Sequence, residues 1–127
     1  MKCSTCEKTQ ASPELILTRG RTAVPGCIDG TVRVILDPKD ADLLMGDEVL
    51  VTPMTDPDSV PAMERSAAVV TERGGMLCHA AIVCREMNKP CVVGTANATT
   101  TLTTGVRVRV CASRGLVLAV SDVPVLT

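Results

Sequence analysis

The sequence predicts a mixed α/β sandwich that forms one small domain. The chain has 127 residues, a length that suits a single domain. Short apolar runs rich in β-branched residues alternate with turn residues, as is typical of strands. One stretch near the middle of the chain instead has helical spacing. Several short strands interrupted by a few short helices predict strands and helices packed in layers.

The composition supports a packed core and argues against nucleic-acid binding. Hydrophobic residues make up 46% of the chain and charged residues 21%, as in folded globular proteins. The chain has no Phe, Trp or Tyr, so it lacks the aromatic side chains on which nucleic-acid bases stack. A formal net charge of −1 provides no general attraction to nucleic acid or to an anionic membrane.

The termini and the apolar runs predict a cytoplasmic protein with flexible ends. No apolar run reaches the ~20 residues that span a bilayer, and the start of the chain lacks the apolar stretch of a secretion signal. The seven cysteines are therefore expected to be reduced and mostly packed in the core. Polar residues 1–14 and Pro-interrupted residues 122–127 predict tails, which leaves 15–121 as the domain.

The N-terminal tail contains Cys3 and Cys6 in a CxxC spacing. This pair supplies only two of the four ligands that a structural zinc usually needs. A cysteine-based metal or redox protein is therefore a minor alternative, and no metal site is predicted.

The first half of the chain predicts strands, a helical turn and one short helix. Residues 30–36 alternate and are rich in β-branched side chains, and residues 48–52 form a short apolar run that ends before a proline. Residues 41–45 predict one helical turn. Capping side chains and prolines predict a short helix over residues 60–65, and residues 67–71 predict another buried strand.

The best helix is predicted over residues 76–87. His79, Ile82, Val83 and Glu86 follow one another at helical spacing. Asn88 suits a left-handed cap, and the proline at position 90 prevents continuation.

The last third of the chain predicts a strand, a loop or weakly formed turn, and a hairpin. Residues 91–94 are a short apolar run, and residues 96–104 are small, polar and rich in threonine. The alternating residues 106–110 and the apolar residues 116–120 predict a β-hairpin that turns at residues 112–115.

One segment combines a strand, two glycines and a helix start that carries His79, the one histidine of the chain. The free N–H groups and the positive dipole end of a helix N-terminus attract phosphate. Gly74 and Gly75 permit backbone conformations and close approaches that a Cβ would block. A helix start also disfavours imidazolium, so the ring is predicted to be neutral and nucleophilic. We therefore predict that His79 takes up a phosphoryl group.

Other interpretations of the same segment stay open. A lone histidine is often a packed or surface residue without chemistry. Cys78 is a candidate nucleophile at the helix start, but the chain has no second histidine to serve as its base. Arg85 is a candidate phosphate partner if the fold brings it near; alternatively, Arg85 and Glu86 form a solvated pair.

The segment GGMLCHAAIVCREMNKPCVVGT, residues 74–95, resembles the phosphohistidine (swivelling) domain of the phosphoenolpyruvate-utilising enzymes. The resemblance extends upstream through GDEVLVTPMTDPDSVPAMERSAAVVTERGG and downstream through LTTGVRVRVCASRGLVLAV. It covers residues 22–120, most of the chain. The family includes phosphoenolpyruvate synthase, pyruvate phosphate dikinase, rifampicin phosphotransferase and enzyme I of the sugar phosphotransferase system.

The resemblance implies a layered β/β/α sandwich and a set of site residues. His79 matches the residue that the family phosphorylates on its outer ring nitrogen, so it is the predicted catalytic residue. Gly74, Gly75 and Arg85 match the family's loop and helix positions around the phosphohistidine. We add Cys78 to this predicted phosphate-binding set and predict Thr52, Thr55 and Glu72 as a possible rim of the site. At position 77, where family members often have a threonine, this chain has Leu77. In the synthase and dikinase branch that threonine is a target of regulatory phosphorylation, so such control is expected to be absent here.

The resemblance also implies partners. The family domain moves between a nucleotide site on an ATP-grasp fold and a phosphoenolpyruvate/pyruvate site on a barrel with magnesium. Neither fits in this length, so we expect a stand-alone phosphoryl carrier that acts with such partners, either as a subunit of a split enzyme or as a fragment. We expect this chain alone to bind no cofactor and magnesium to lie in the partner's active site. The alternative is a non-catalytic interaction module that keeps the fold.

Overall fold

A computed structural model describes residues 16–37, 40, 44, 46–75 and 77–119. Within these ranges the chain forms eight strands, three α-helices and two short 3-10 turns. The strands are β1 (Ile16–Arg19), β2 (Arg21–Val24), β3 (Cys27–Val34), β4 (Glu48–Thr52), β5 (Ala68–Thr71), β6 (Cys91–Val93), β7 (Arg107–Cys111) and β8 (Leu116–Ala119). The helices are α1 (Val60–Arg65), α2 (His79–Met87) and α3 (Ala98–Thr101), and the 3-10 turns are Pro57–Ser59 and Ala112–Arg114.

The eight strands form one sheet in the order β1-β8-β7-β3-β4-β5-β6-β2. Strands β3 to β6 run parallel, and the remaining neighbours pair antiparallel. Strands β1 and β2 follow each other along the chain with only Gly20 between them. They nevertheless lie at opposite ends of the strand order, where β1 pairs with β8 and β2 pairs with β6. The sheet therefore folds back on itself and presents two layers of strands.

Gly20 allows the chain to pass from one strand layer to the other. Its N–H donates to the carbonyl oxygen of Gly115 at 2.8 Å. A Cβ built on Gly20 would overlap the carbonyl oxygen of Val93. A side chain at this position would therefore push the β1–β2 stretch away from β6, because backbone atoms cannot yield as a flexible side chain does.

The core has two parts, one on each side of the parallel strands. Alternate residues of β4 point to opposite sides: Val49 and Val51 pack in the cluster between the strand layers, whereas Leu50 packs beneath the helices. Helices α1 and α2 cover the second cluster with Met63, Ala81 and other buried side chains. Strands buried on both faces are expected where parallel strands are covered by helices on one side. The architecture is the predicted β/β/α sandwich.

The cysteines in the described ranges carry free thiols, namely Cys27, Cys78, Cys84, Cys91 and Cys111. Cys84 on the inner face of α2 and Cys91 at the start of β6 are fully buried. A hydrogen bond with Cys84, followed by burial, raises the pKa of the Cys91 thiol. The thiol of Cys91 therefore stays protonated and packs as a small apolar group.

Most predicted elements are present, with shifted ends. The helix over residues 60–65 and the strand over residues 48–52 have the predicted bounds, and Asn88 adopts the left-handed conformation with φ 54°. The strand predicted over residues 30–36 is Cys27–Val34, because its pairing with β7 begins at Cys27. The other predicted strands differ from the observed ones by one or two residues at an end.

Helix α2 begins at His79 rather than at residue 76. Cys78 has extended backbone angles, φ −74° and ψ 166°, which are incompatible with a helical residue. The buried side of α2 is also formed by small residues, Ala80, Ala81 and Cys84, whereas Ile82 is 43% exposed. Small side chains let the helix lie close to the sheet.

Strands β1 and β2 were not predicted. Within residues 96–104, which were predicted as a loop or a weakly formed turn, Ala98–Thr101 form a helical turn. The helical turn has a tertiary cause, since the Glu72 carboxylate accepts the N–H of Thr99. The predicted tails, residue 15 and residues 120–121, Cys3, Cys6 and most of the helical turn over 41–45 lie outside the described residues.

Candidate functional site

The parallel pairing of β4 and β5 builds the site. Thr52 at the end of β4 pairs with Thr71 at the end of β5, so both strands end at the same edge of the sheet. The two segments that follow are joined by backbone hydrogen bonds. The N–H of Glu72 donates to the oxygen of Thr52 at 3.2 Å, and the N–H of Arg73 donates to the oxygen of Pro53 at 2.9 Å. The segment after β4 therefore lies against the glycine loop that leads into α2.

His79 is the first residue of α2 and is half-buried. Its Nδ1 lies 2.8 Å from the hydroxyl oxygen of Thr55, whose residue is 5% exposed. Among the described residues none is hydrogen-bonded to the other ring nitrogen, Nε2. The ring is therefore held through its Nδ1 atom.

A cavity of about 100 Å³ lies beside the ring. This space suits a small group. The described residues that line the cavity are Met54, Thr55, Arg73, Gly74, Cys78, His79 and Ala80. Arg73 is the charged residue among them, and it was not predicted from the sequence. Its position directly before the two glycines was the signal that could have identified it.

Backbone donors complete the site. Cys78 is the N-cap of α2, and its carbonyl oxygen accepts the first helical hydrogen bond, from Ile82 at 3.0 Å. The N–H groups of residues 79, 80 and 81 therefore have no acceptor within the helix. Cys78 makes no side-chain capping bond to them. These three N–H groups and the helix dipole favour a negative charge at this end of α2.

The two glycines before the helix have different roles. Gly74 has a φ of +118°, and a Cβ built on it would lie 2.6 Å from the sulfur of Cys78. Gly75 has no atom within 4 Å of its Cβ position. The backbone path into the site therefore requires glycine at position 74, whereas position 75 has space for a side chain.

The structure assigns local partners to two of the predicted rim residues. The Oε2 atom of Glu72 accepts hydrogen bonds from both the N–H and the hydroxyl of Thr99, at 2.8 and 2.5 Å. This carboxylate therefore binds the start of α3. The hydroxyl of Thr52 donates to the oxygen of Met54 at 3.3 Å and lines a neighbouring cavity of about 110 Å³. The third, Thr55, contacts the histidine directly.

Arg85 lies at the far end of α2. It is exposed in the last turn, about 9 Å along the helix axis from His79 at the rise of an α-helix. It is not one of the described residues that line the His79 cavity. A cation in the last turn instead interacts favourably with the negative end of the helix dipole.

The chain is a β/β/α domain with a histidine at a glycine loop, and comparison with known proteins identifies the family. Residues 44–115, more than half of the chain, match the family model described as the mobile domain of PEP-utilising enzymes. The chain therefore belongs to the phosphoenolpyruvate-utilising enzymes and corresponds to their mobile domain.

Similar full-length proteins are phosphoenolpyruvate synthases. The chain is 48% identical over 115 residues to phosphoenolpyruvate synthase of Pyrococcus furiosus, which covers 90% of this chain and 14% of the synthase. It is 51% identical over 104 residues to a probable phosphoenolpyruvate synthase of Staphylothermus marinus, covering 80% of this chain and 12% of the relative. The chain thus spans about one seventh of the length of these relatives or less.

Solved structures agree on the fold. An Enzyme I protein (nEIt) in solution is 27% identical, with a TM-score of 0.56, over 66% of this chain and 35% of that one. Aconitase X of Thermococcus kodakaraensis in its holo-form has a TM-score of 0.62 at 20% identity, over 82% of this chain and 98% of that one. The second likeness shows the fold alone.

Two further properties concern the described ranges only. None of the helices there has both the length and the hydropathy needed to cross a bilayer. No group of three or more His, Cys, Asp and Glu residues in these ranges is arranged to hold a metal ion.

Proposed function

We propose that this domain carries a phosphoryl group on Nε2 of His79, accepting it at one partner site and delivering it at another. The observation that carries the proposal is the hydrogen bond between the Thr55 hydroxyl and Nδ1 of His79. It engages one ring nitrogen of a histidine that lines a small cavity, and Arg73 lines the same cavity.

The chemistry follows from the tautomer of the ring. When Nδ1 carries the proton and donates it to the Thr55 oxygen, Nε2 has its lone pair free. That lone pair forms a bond to phosphorus while the phosphorus–oxygen bond of the donor breaks, and the leaving group keeps the electron pair. Nδ1 keeps its proton in the phosphorylated ring, so the bond to Thr55 persists through the transfer.

The helix start stabilises the group that is transferred. The free N–H groups of residues 79–81 and the positive end of the helix dipole stabilise the negative charge of a phosphoryl group. Phosphoryl transfer depends mainly on positioning and electrostatic stabilisation. We therefore assign Gly74 to shaping the loop and Cys78 to the wall of the cavity.

We assign the remaining machinery to partner domains, in agreement with the small share of the synthases that this chain spans. The partners are a nucleotide-binding domain of ATP-grasp type and a domain that binds phosphoenolpyruvate and pyruvate. Magnesium prefers carboxylate and other oxygen ligands, whereas no carboxylate is found among the described residues that line the His79 cavity. We therefore place the magnesium in the partner's site. The free thiols fit a cytoplasmic location.

Phosphoryl labelling tests the proposed function. The protein is incubated with host extract and either labelled phosphoenolpyruvate or ATP labelled in its β- or γ-phosphate, beside a known phosphohistidine carrier. We expect label that is lost in acid and stable in alkali, as a phosphoramidate bond is. A labelled control carrier beside an unlabelled domain would contradict the proposal and support a non-catalytic module.

Thr55→Val tests the tautomer argument. Valine has the shape of threonine but no hydroxyl, so Nδ1 loses its partner. We expect phosphorylation of His79 to slow about tenfold, the effect of ~1.4 kcal/mol, because the Nδ1–H tautomer is no longer favoured. The rate of labelling measures the transfer, and ¹⁵N NMR of the imidazole measures the tautomer populations.

Thr52→Val is the matched comparison, because Thr52 is also buried at this edge but donates to a backbone oxygen and not to the histidine. We expect its imidazole spectrum to match that of the unaltered protein. Equal spectra for the Thr55 and Thr52 variants would show that the hydroxyl of Thr55 does not select the tautomer.

A further inference from the structure

We propose that Arg73 is the side chain that binds the phosphoryl group on His79, a role for which Arg85 was the sequence-based candidate. This inference rests on the proposed function. It assigns to that site a cation that lies outside the helix and directly before the glycine loop.

The position of Arg73 is set by the backbone. Its N–H donates to the oxygen of Pro53 at 2.9 Å, which holds the residue beside the segment that carries Thr55. The next residue, Gly74, turns the chain with a φ of +118°. Arg73, Thr55 and His79 consequently line the same cavity of about 100 Å³.

The charge of Arg73 is available to a ligand. Within the described ranges no hydrogen bond or ion pair involves its guanidinium, and the residue is exposed. The nearest carboxylate along the chain, that of Glu72, is hydrogen-bonded to Thr99. A planar guanidinium matches the oxygen atoms of a phosphoryl group in a two-pronged geometry.

Arg85, the other candidate, lies too far from His79 to bind a phosphoryl group there. Arg85 already interacts with another group of the protein, and its charge acts on the thiol of Cys91. Cys91 is the first residue of β6, which runs parallel to β5. Arg85 therefore lies toward the edge where the parallel strands begin, whereas the site lies at the edge where β4 and β5 end.

The test uses phosphoramidate, a small phosphoryl donor that needs no partner protein. The lone pair of Nε2 attacks phosphorus, the phosphorus–nitrogen bond breaks and ammonia leaves. We expect Arg73→Gln to lower the rate of phosphohistidine formation at least about tenfold, which corresponds to about 1.4 kcal/mol. Arg73→Lys should be faster than Arg73→Gln but slower than the unaltered protein, because lysine keeps the positive charge but lacks the planar, two-pronged donors of a guanidinium.

A readout of charge separates binding from a merely structural effect. The rate for the unaltered protein should fall as salt is raised, since salt screens an exposed cation, and the Arg73→Gln rate should depend less on salt. Arg114→Gln, an exposed arginine in the turn after β7, is the control and should stay within about twofold. Thermal unfolding of each variant verifies the fold.

Two results would overturn the inference. If Arg73→Gln forms phosphohistidine as fast as the unaltered protein, or if Arg85→Gln is the slower variant, Arg73 is not the phosphate-binding side chain, although the carrier function stands. If the unaltered protein forms no phosphohistidine, the proposed function fails, and this inference fails with it.

Discussion

Replacing His79 by asparagine is expected to abolish phosphorylation of the domain and to leave its fold intact. The asparagine amide can occupy the position of Nδ1 and retain the contact with Thr55, but it has no nucleophilic nitrogen at the position of Nε2. The residue is half-buried at the start of α2, so we expect the free energy of unfolding to change by no more than about 1.5 kcal/mol, the value of one hydrogen bond. Labelling measures the first effect and thermal unfolding the second.

Cys78→Ser is the informative companion variant, because Cys78 is the other predicted nucleophile at this helix start. Serine is similar in size and can cap the helix, so the fold should persist. We expect the serine variant to retain acid-labile label. Label that persists on the His79 variant and disappears from the Cys78 variant would assign the chemistry to the thiol and contradict the carrier proposed here.

Gly74→Ala is expected to be the most damaging change in the glycine loop. The φ of +118° is strained for any residue with a Cβ, and the new methyl group would lie 2.6 Å from the sulfur of Cys78. We expect a loss of about 1–3 kcal/mol in the free energy of unfolding, the usual cost of a residue held in such a conformation. Phosphorylation should fall as well, because relief of the contact moves the start of α2. Chemical denaturation and the labelling rate measure the two effects.

Gly75→Ala controls for the general effect of an added methyl group. No atom lies within 4 Å of that Cβ position, so we expect its stability to remain within about 1 kcal/mol of the unaltered protein. The double variant Gly74→Ala/Cys78→Ala removes the sulfur contact but not the backbone strain, and should recover part of the lost stability. Equal destabilisation by the two single glycine variants would show that the loop does not depend on the conformation of Gly74.

The fold by itself does not define the function. Aconitase X of Thermococcus kodakaraensis shares it at 20% identity, although that protein is named for a different activity. Function depends on the site that the fold carries, here the ring nitrogen held by Thr55, the cavity beside the ring and the free N–H groups at the start of α2. The mobile-domain family adds to this argument, because its model matches the region that contains these residues.

Local features of the chain were predictable from the sequence. The helix Val60–Arg65, the left-handed cap at Asn88 and the closing hairpin depend on capping residues, turn residues and alternation within a few consecutive positions. The placement of His79 at a helix start after two glycines is likewise local, and it was the basis of the functional prediction. The β/β/α layering came from the family resemblance, and the structure confirms it.

Strand order lay beyond the sequence, and it decided the composition of the site. Thr55 and His79 are 24 positions apart and meet because β4 and β5 pair in parallel with Thr52 opposite Thr71. The same register holds Arg73 against the segment after β4. Arg85, in the last turn of α2, lies instead toward the edge where the parallel strands begin.

The edge strands and the short third helix also depend on the tertiary structure more than on local sequence. Strands β1 and β2 have weak local signals, and they form because β8 and β6 supply hydrogen-bond partners. Helix α3 begins where the carboxylate of Glu72 accepts the N–H of Thr99, 27 positions away. Backbone preference acts between neighbours along the chain and can be inferred from them. The partner of a side chain depends on which segments the packed sheet brings together, and only the tertiary structure decides that.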